Sequence, residues 1–453
     1  MRVSDRASWA LSFMLCIAVL CAPAMWNGFP LLQYDTGGYL ARWYEGYLVP
    51  SRAVAYGLML AASAGLNFWP VVVLQAALTV WTIHLLLRVH GCARPSALVG
   101  AIAALSLLTA LPWLSAILLT DIFTGLSVLA LYMLMFRFSD LSKLERAGLI
   151  GIAAIGAATH SATLAVLLGL VAVSLAYRSL APEQVRLRNA FIAILLGVVT
   201  VFVCNFALTK RVAWTPGGFA LSFGRMLQDG IVARYLDEHC PDQQLRLCPH
   251  RAELPRDADA WFWGNPTFIK LGRFAGLGDE MTTIALKSIA AYPGMQVQTA
   301  AMAAARQLTQ VHTGEGVLTT IWHTYAIIEK FTPSAAPAMR AARQQRGELS
   351  FTWINTVNYP VALLAIALLP ILLVTARGGT FARETAQLAA IMTVALLGNA
   401  AVCGILSNPH DRYGARIAWL AVLSLMVAAL AALRQREARP HRAPLLAPVG
   451  DLA

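Results

Sequence analysis

Ten apolar stretches, separated by polar or basic segments, constrain the fold of this chain more than any motif does. A helix needs about 20 apolar residues to cross a bilayer, and fewer where protein surrounds it. The stretches cover residues 8–25, 68–87, 97–118, 121–137, 147–159, 162–177, 190–209, 353–375, 387–406 and 416–433. Only 13% of the residues are charged, about half the share that soluble domains have. The pattern predicts an all-α polytopic membrane protein with about ten transmembrane helices.

The segment 53–66 is apolar as well, but we predict that it is an interfacial or re-entrant helix. A crossing there would place Arg88, His90 and Arg94 on the same side as the long polar segment 210–351. The first span ends in Ala-Pro-Ala at residues 22–24, as a cleaved signal peptide can. The many spans that follow favour an uncleaved first helix.

The net charge of +12 comes from basic residues that cluster at the ends of the apolar stretches. Basic loop residues mark the cytoplasmic side of a membrane protein, so this clustering favours a topology signal over a nucleic-acid partner. One side receives Arg2, Arg6, Arg88, Arg94, Arg137, Lys143, Arg146, Arg178, Arg186, Arg188, Arg377, Arg383, Arg434, Arg436, Arg439 and Arg442. We assign that side to the cytoplasm. The Ala-, Leu- and Arg-rich composition favours a bacterial inner (cytoplasmic) membrane, with the other side facing the periplasm.

The polar segments divide the chain into four parts. Residues 1–209 form an N-terminal transmembrane module with a first outer loop at 26–52, and residues 352–433 form C-terminal transmembrane helices. Between them lies a periplasmic subdomain at 210–351, with helices predicted over 219–238 and 279–310. A connector is predicted over 332–348. The Arg- and Pro-rich residues 434–453 are predicted to form a disordered cytoplasmic tail.

Two of the seven cysteines, Cys240 and Cys248, lie close together in the polar segment. Outside the cytoplasm we expect them to form a disulfide, which would stabilise this loop by roughly 2.5 kcal/mol in the chain-entropy model. His239 and His250 flank the pair, so a Cys/His metal site is an alternative. The spacing is not that of a standard zinc motif.

The first polar island after an apolar span has the sequence Tyr-Asp-Thr-Gly-Gly-Tyr at residues 34–39 and continues through Arg42 to Arg52. Aromatic rings stack on sugar faces, and a carboxylate takes up protons or binds cations. Asp35 is thus a candidate base, metal ligand or sugar-binding group. The alternative is a solvated loop with an interfacial belt of aromatic residues.

Two more polar residues lie where apolar stretches meet on the outer side. Asp121 begins a span, and an ionisable residue at the edge of the hydrocarbon is costly. Asp121 either caps the helix N-terminus or belongs to a functional site. His160 lies between two apolar runs and is either a turn residue with satisfied hydrogen bonds or a ligand-binding group.

Arg412 and Arg416 lie on the outer side, against the positive-inside bias. Because they are four residues apart, they share one face at the start of the last helix. There they suit a phosphate group, although an ion pair with Asp411 or contact with lipid headgroups is an alternative. We expect Arg412 to line one cavity together with Asp35, Asp121 and His160.

Five short motifs match a known family in type and placement. They are Tyr34-Asp35-Thr36, Pro50-Ser51-Arg52, Tyr56-Gly57-Leu58, Thr120-Asp121 and Asp411-Arg412-Tyr413. Together they resemble the GT-C superfamily of membrane glycosyltransferases, to which protein O-mannosyltransferases and the aminoarabinose transferases of lipid A belong. The resemblance covers residues 1–210 and 352–433, and it implies a GT-C-like arrangement of the membrane helices.

The resemblance implies an inverting transfer of a sugar from a polyprenyl-phosphate donor on the periplasmic face. Asp35 would be the general base, and Arg412 would neutralise the leaving phosphate. Asp121 would orient the acceptor or hold a divalent metal ion with Asp35. Many family members have adjacent acids in the first loop, whereas the next acid here is Glu45, so metal dependence stays open. The substrate-binding candidates are Tyr34, Tyr39, Arg42, Arg52, His160, His410, Arg412, Tyr413 and Arg416.

The acceptor can be a glycan, a lipid or a protein, and three other functions stay open. An O-antigen ligase or polymerase would need Arg412 and a loop histidine but no aspartate base. A transporter or flippase of envelope precursors is disfavoured, because span interiors lack charges and no two-fold repeat is apparent. The third is a scaffold in envelope assembly without catalysis.

Overall fold

The computed structural model describes residues 3–46, 48, 52–215, 219–375 and 380–438. Within these ranges the chain is helical, without strands, and one isolated parallel bridge pairs Leu31 with Ile117. The prediction of an all-helical chain is confirmed. Arg2, Pro50-Ser51, Arg377 and the tail from residue 439 onward lie outside the described residues.

Ten α-helices lie in the described part of residues 1–209. They are α1 (Val3–Asn27), α2 (Thr36–Glu45), α3 (Val54–Ser63), α4 (Trp69–Val89), α5 (Pro95–Leu108), α6 (Leu111–Ala116), α7 (Ile122–Phe136), α8 (Lys143–Thr159), α9 (Ser161–Leu180) and α10 (Arg188–Thr209).

The polar segment and the C-terminal part contribute the remaining helices of the described chain. They are α11 (Ala220–Gln228), α12 (Ile231–His239), α13 (Ala258–Gly264), α14 (Pro266–Lys270), α15 (Arg273–Ala291), α16 (Pro293–Thr309), α17 (Trp322–Phe331), α18 (Ala336–Arg340), α19 (Thr352–Thr375), α20 (Thr380–Leu406) and α21 (Asp411–Ala438). Short 3-10 turns cover Ala64–Leu66, Phe138–Asp140, Pro182–Gln184, Cys248–Glu253 and Pro333–Ala335.

Seven of the described helices are long and apolar enough to cross a membrane, namely α1, α4, α9, α10, α19, α20 and α21. One predicted span, 97–118, is wrong as a single helix, because α5 ends at Leu108 and α6 begins at Leu111. The hydroxyl of Thr109 accepts a hydrogen bond from the Leu111 amide, and Pro112 lacks an N–H for a continuous helix. The first outer loop also differs from a solvated loop, since its residues 36–45 form α2, which is largely buried.

Helix α7 lies at the centre of the membrane part. All its residues from Ile122 to Met135 are buried, and it packs against α4, α8 and α21. Gly125 permits a close approach to α21, because a Cβ atom there would lie 2.6 Å from Cζ2 of Trp419. The packing of α7 on α21 brings the start of α7 close to the start of α21.

The predicted subdomain 210–351 divides into two parts. Helices α11 to α15 enclose a core of their own around Phe223, Trp261 and Phe268. Residues 317–342 instead join the core of the membrane part, where α17 packs against α2. The predicted helix 219–238 is interrupted at Gly230, which has a φ of +78°, and the helix 279–310 is interrupted before Pro293. A disulfide joins Cys240 at the end of α12 to Cys248.

Candidate active site

Asp35 is positioned by a tight connection between the turn before α2 and the turn before α7. Its amide donates to Oε1 of Gln33 over 2.7 Å, and the hydroxyl of Thr36 donates to the carbonyl of Leu118 over 2.9 Å. The Leu31–Ile117 bridge joins the same two segments. The turn that precedes α2 is therefore fixed to the turn that precedes α7, and the carboxylate of Asp35 is almost completely buried.

Arg412 connects the two aspartates predicted as site residues. Its Nη1 atom lies 2.6 Å from Oδ2 of Asp35, and its Nε atom lies 2.7 Å from Oδ2 of Asp121. The other oxygen of Asp35, Oδ1, accepts a hydrogen bond from Arg52. These four residues come from three distant parts of the sequence, since Asp35 and Arg52 are 17 residues apart. Charged hydrogen bonds between buried partners are strong and geometrically specific, so these contacts fix the relative positions of the four side chains.

The carboxylate of Asp121 contacts arginine side chains. Asp121 stands at the N-cap position of α7, but its side chain accepts no hydrogen bond from the first turn of that helix. Its second oxygen, Oδ1, lies 3.6 Å from Nη1 of Arg416. Arg416 is fully buried and also donates to Oδ1 of Asn399 over 2.8 Å, and its Nη1 atom lies 3.4 Å from Nδ1 of His160.

We refer to Asp35, Asp121, Arg52, Arg412 and Arg416 as the arginine–aspartate cluster. Three guanidinium groups contact two carboxylates, which leaves one positive charge in excess within this group. An anion that binds these guanidinium groups would be attracted by the excess positive charge and would accept charged hydrogen bonds from them. The cluster therefore suits an anionic ligand such as a phosphate.

The charges around Asp35 determine its protonation. Burial alone would raise its pKa, but the charges of Arg52 and Arg412 and their hydrogen bonds outweigh burial, and the pKa lies below the ordinary value. With both arginines in contact, Asp35 is a charged carboxylate and a weak base. A ligand that takes over one of these arginines would make Asp35 a stronger base.

The cluster forms part of the wall of a cavity of about 740 Å³, within the size range of small-molecule sites. Seven predicted site residues line it: Tyr34, Asp35, Arg42, Arg52, His410, Arg412 and Tyr413. The other four, Tyr39, Asp121, His160 and Arg416, lie behind this wall. Tyr39 faces Thr120, with the two hydroxyl oxygens 3.3 Å apart. Asp121 borders a separate small cavity of about 40 Å³, with Arg412 between it and the larger one.

His410 joins the membrane part to the polar segment. Its Nδ1 atom lies 2.6 Å from Oε1 of Glu315, and its Nε2 atom lies 3.2 Å from Oδ2 of Asp259. Burial lowers its pKa, but the hydrogen bonds to Asp259 and Glu315 and their charges have the larger combined effect and raise the pKa to about 10. The other oxygen of Glu315 accepts from the amide of Arg412 over 2.6 Å, an amide that the first turn of α21 leaves without a helical partner.

Sequence reasoning missed the wall that the polar segment provides. Asp259, Trp263, Glu315 and Trp322 line the cavity, and none belongs to a recognisable motif. The only signals were a Trp-Phe-Trp run at 261–263 and a Gly-Glu-Gly turn at 314–316. The turn is required structurally, because Gly316 has a φ of +77° and its carbonyl accepts from the amide of Tyr34 over 3.2 Å.

A divalent metal ion does not fit the donor set formed by Asp35 and Asp121. Both carboxylates contact guanidinium groups, and Arg412 lies between them, so the surrounding charge opposes a dication. No group of three or more His, Cys, Asp or Glu side chains suited to a metal occurs among the described residues. The alternative Cys/His site also lacks its thiolates, because Cys240 and Cys248 are bonded to each other.

No protein-family model, curated protein or solved structure matches this chain. The function is therefore inferred from the chemistry of the site.

Proposed function

We propose that this protein is a membrane glycosyltransferase that moves a sugar from a polyprenyl-phosphate donor to an acceptor hydroxyl. The observation that carries the proposal is the position of Arg412, which contacts Asp35 in the wall of the large cavity and Asp121 behind it. Sugar transfer from a phosphate requires a fixed cation for the departing phosphate and a carboxylate for the hydroxyl proton. Both groups lie side by side in one cavity.

The proposed membrane arrangement has ten crossings and is GT-C-like. Seven crossings would be the long apolar helices, and the other three would be α7, α8 and the divided α5–α6 segment. The short length of α7 suits a crossing that is surrounded by protein, because all its residues from Ile122 to Met135 are buried. The basic clusters orient these helices with the cavity on the outer side, which would be the periplasm of a bacterial inner membrane.

Donor binding would begin at the arginine–aspartate cluster. The donor phosphate would accept hydrogen bonds from Arg412 and Arg52, whose planar guanidinium groups suit phosphate oxygens. The excess positive charge of the cluster supports this step. To reach the arginines, the phosphate must replace hydrogen bonds that they make to Asp35. The negative charge of the phosphate would thereby offset part of the positive charge that lowers the pKa of Asp35.

The transfer step would then use Asp35 as general base. The acceptor oxygen forms a bond to the anomeric carbon while the bond from that carbon to the phosphate oxygen breaks. The acceptor proton moves to Asp35, and the electron pair leaves with the polyprenyl phosphate, which Arg412 and Arg52 stabilise. Attack opposite the leaving group inverts the anomeric centre, so the bound sugar would have to lie between Asp35 and the phosphate held by the displaced arginines.

Asp121 and Arg416 are positioning residues in this scheme. Neither lines the large cavity. Asp121 binds Arg412 from behind, and Arg416 connects Asp121 with Asn399 and His160. Loss of either side chain would allow the Arg412 guanidinium to shift. A displacement of about 1 Å at a reacting group can cost about 100-fold in rate.

The second candidate is a ligase or polymerase that acts on lipid-linked glycans without an aspartate base. The lowered pKa of Asp35, which follows from its contacts to Arg52 and Arg412, favours this candidate. His410 would be the loop histidine, since it lines the same cavity as Arg412. The two candidates differ in whether Asp35 is required for transfer.

The test is transfer of radiolabelled sugar from polyprenyl-phosphate glucose, mannose, galactose or aminoarabinose in membranes that contain the protein at matched levels. Wild type would be compared with Asp35→Asn and Arg412→Ala, and with Arg234→Ala as a control at an exposed arginine of α12. We expect transfer in the wild type and the control and its loss in both site variants. Transfer that survives Asp35→Asn but not Arg412→Ala would favour the ligase. Absence of transfer from all four donors would contradict an activity on these sugars.

A further inference from the structure

Two tryptophans of the polar segment are exposed although they line the large cavity. Trp263 at the end of α13 is 56% exposed, and Trp322 at the start of α17 is 69% exposed. Leaving a large aromatic surface in contact with water is unfavourable, and such surfaces often mark a binding site. An aromatic belt at a membrane interface would face lipid headgroups, whereas these two side chains border the same cavity as Asp35.

Trp263 is held in its exposed position by a chain of hydrogen bonds. Its Nε1 atom donates to Oδ1 of Asp259 over 3.2 Å, and Oδ2 of Asp259 lies 3.2 Å from Nε2 of His410. His410 in turn contacts Glu315, which accepts from the amide of Arg412. The ring is therefore ordered before any ligand arrives, and binding to it would cost little conformational entropy.

Trp263 also lies close to the proposed base. The guanidinium carbon of Arg52 is 5.8 Å from the centroid of the Trp263 ring, and the same guanidinium binds Asp35. One arginine side chain thus separates the ring from the carboxylate. A sugar ring that stacks on Trp263 could present a hydroxyl to Asp35.

The polar groups around the tryptophans suit neutral hydroxyl groups. Asp259, Asn408 and His323 also line the cavity. The carboxylate of Asp259 can accept from a hydroxyl, and Asn408 and His323 can donate to or accept from one. Asp259 and Glu315 both contact His410, so this wall has no excess positive charge of the kind found in the arginine–aspartate cluster. The cavity therefore combines a cationic wall that suits phosphate with an aromatic and hydroxyl-binding wall.

We propose that Trp263 and Trp322 form an acceptor subsite for carbohydrate, so that the acceptor is a glycan. This inference rests on the proposed function, because only a transferase has an acceptor. The binding of carbohydrate can nevertheless be measured without any transfer. Aromatic faces combined with a few placed polar groups are typical of sites for such ligands. The carboxylates of this wall disfavour an anionic lipid headgroup.

The test is isothermal titration calorimetry on the full chain in nanodiscs, with cellohexaose, maltohexaose, mannohexaose and a Ser/Thr-rich hexapeptide as probes. We expect saturable binding of at least one hexasaccharide. Trp263→Ala and Trp322→Ala should each weaken it about tenfold or more, and Trp263→Phe should retain most of it. The matched control is Trp353→Ala, since Trp353 on α19 is 83% exposed but lies outside the cavity.

The possible outcomes separate this inference from the proposed function. Hexasaccharide binding that depends on Trp263, in a protein that transfers no sugar, would support the subsite and count against the transferase. Absence of saturable binding by all three hexasaccharides would overturn the subsite, whatever the transfer assay shows. Binding that neither tryptophan variant weakens, or Trp263-dependent binding of the hexapeptide alone, would overturn it as well.

Discussion

Nη1 of Arg412 lies 2.6 Å from Oδ2 of Asp35, although the two residues are 377 positions apart in the sequence. The contact joins the turn before α2 to the first turn of α21. The proposed base and the arginine proposed to bind the phosphate are therefore bound to each other. A phosphate that binds Arg412 must compete with Asp35, so donor binding and base activation are linked.

This competition predicts an unusual property of Asp35→Asn. The variant should bind undecaprenyl phosphate more tightly than the wild type, because the carboxylate that competes for Arg52 and Arg412 has been removed. Arg412→Ala should bind it more weakly. The measurement is a titration of each purified protein with undecaprenyl phosphate in detergent. Weaker binding by Asp35→Asn than by the wild type would contradict the competition.

The arginine–aspartate cluster should also contribute to stability. Arg412→Ala leaves the buried carboxylates of Asp35 and Asp121 without their shared partner, and loss of one member of a buried ion pair costs about 3–5 kcal/mol. In the double variant with Asp35→Asn, one of these two carboxylate charges is removed, and part of the lost stability should be restored. Thermal unfolding of the two single variants and the double variant measures this coupling. Strictly additive losses would contradict a direct contact.

His410 predicts a dependence of stability on pH. Its hydrogen bonds to Asp259 and Glu315 raise its pKa from the ordinary 6.5 to about 10 in spite of burial. A group whose pKa is higher in the folded than in the unfolded protein stabilises the fold, and it does so fully at pH values below its unfolded pKa. For His410 this contribution to the free energy of unfolding is lost as the pH rises through about 10. The stability advantage of the wild type over His410→Gln should therefore shrink between pH 6.5 and 10. An advantage that is constant over this range would contradict the ion contacts of His410.

The packing of α7 on α21 should control the distance between Asp121 and Arg412. Gly125→Ala places a Cβ atom 2.6 Å from Cζ2 of Trp419, and overpacking of this kind costs about 1–3 kcal/mol. We expect lower thermal stability and slower transfer. The control is Gly151→Ala in α8, where a Cβ atom would meet nothing within 4 Å. Equal effects of the two substitutions would contradict the close helix contact.

The helical membrane part could be predicted because the apolar stretches and basic clusters are local signals. The break after Leu108 could not be placed, since it depends on one threonine hydroxyl and Pro112 within an apolar run. Arg412 stood out because an arginine on the predicted outer side opposes the positive-inside bias, but its contacts to Asp35 and Asp121 depend on tertiary packing. Sequence alone also could not separate the residues that line the cavity from those behind it.

The aromatic wall was missed for a different reason. Trp263 and Trp322 lie in a segment without a recognisable motif, and they reach the cavity through two different parts of the fold. Trp263 belongs to the segment with its own core, whereas Trp322 lies on α17, which packs against α2. A pattern of spacing along the chain does not reveal that both side chains line the same cavity.

The most direct test of Asp35 as the base uses azide as an alternative acceptor. Azide has no proton to lose, so it needs no base. Its nitrogen can form a bond to the anomeric carbon while the bond from that carbon to the phosphate oxygen breaks. Asp35→Asn should transfer sugar to its normal acceptor about 10²- to 10⁴-fold more slowly, yet form glycosyl azide of inverted configuration from the radiolabelled donor. Arg412→Ala should form none, because the phosphate still lacks its cation. Unchanged acceptor transfer by Asp35→Asn, or the absence of any azide product from it, would contradict the base role.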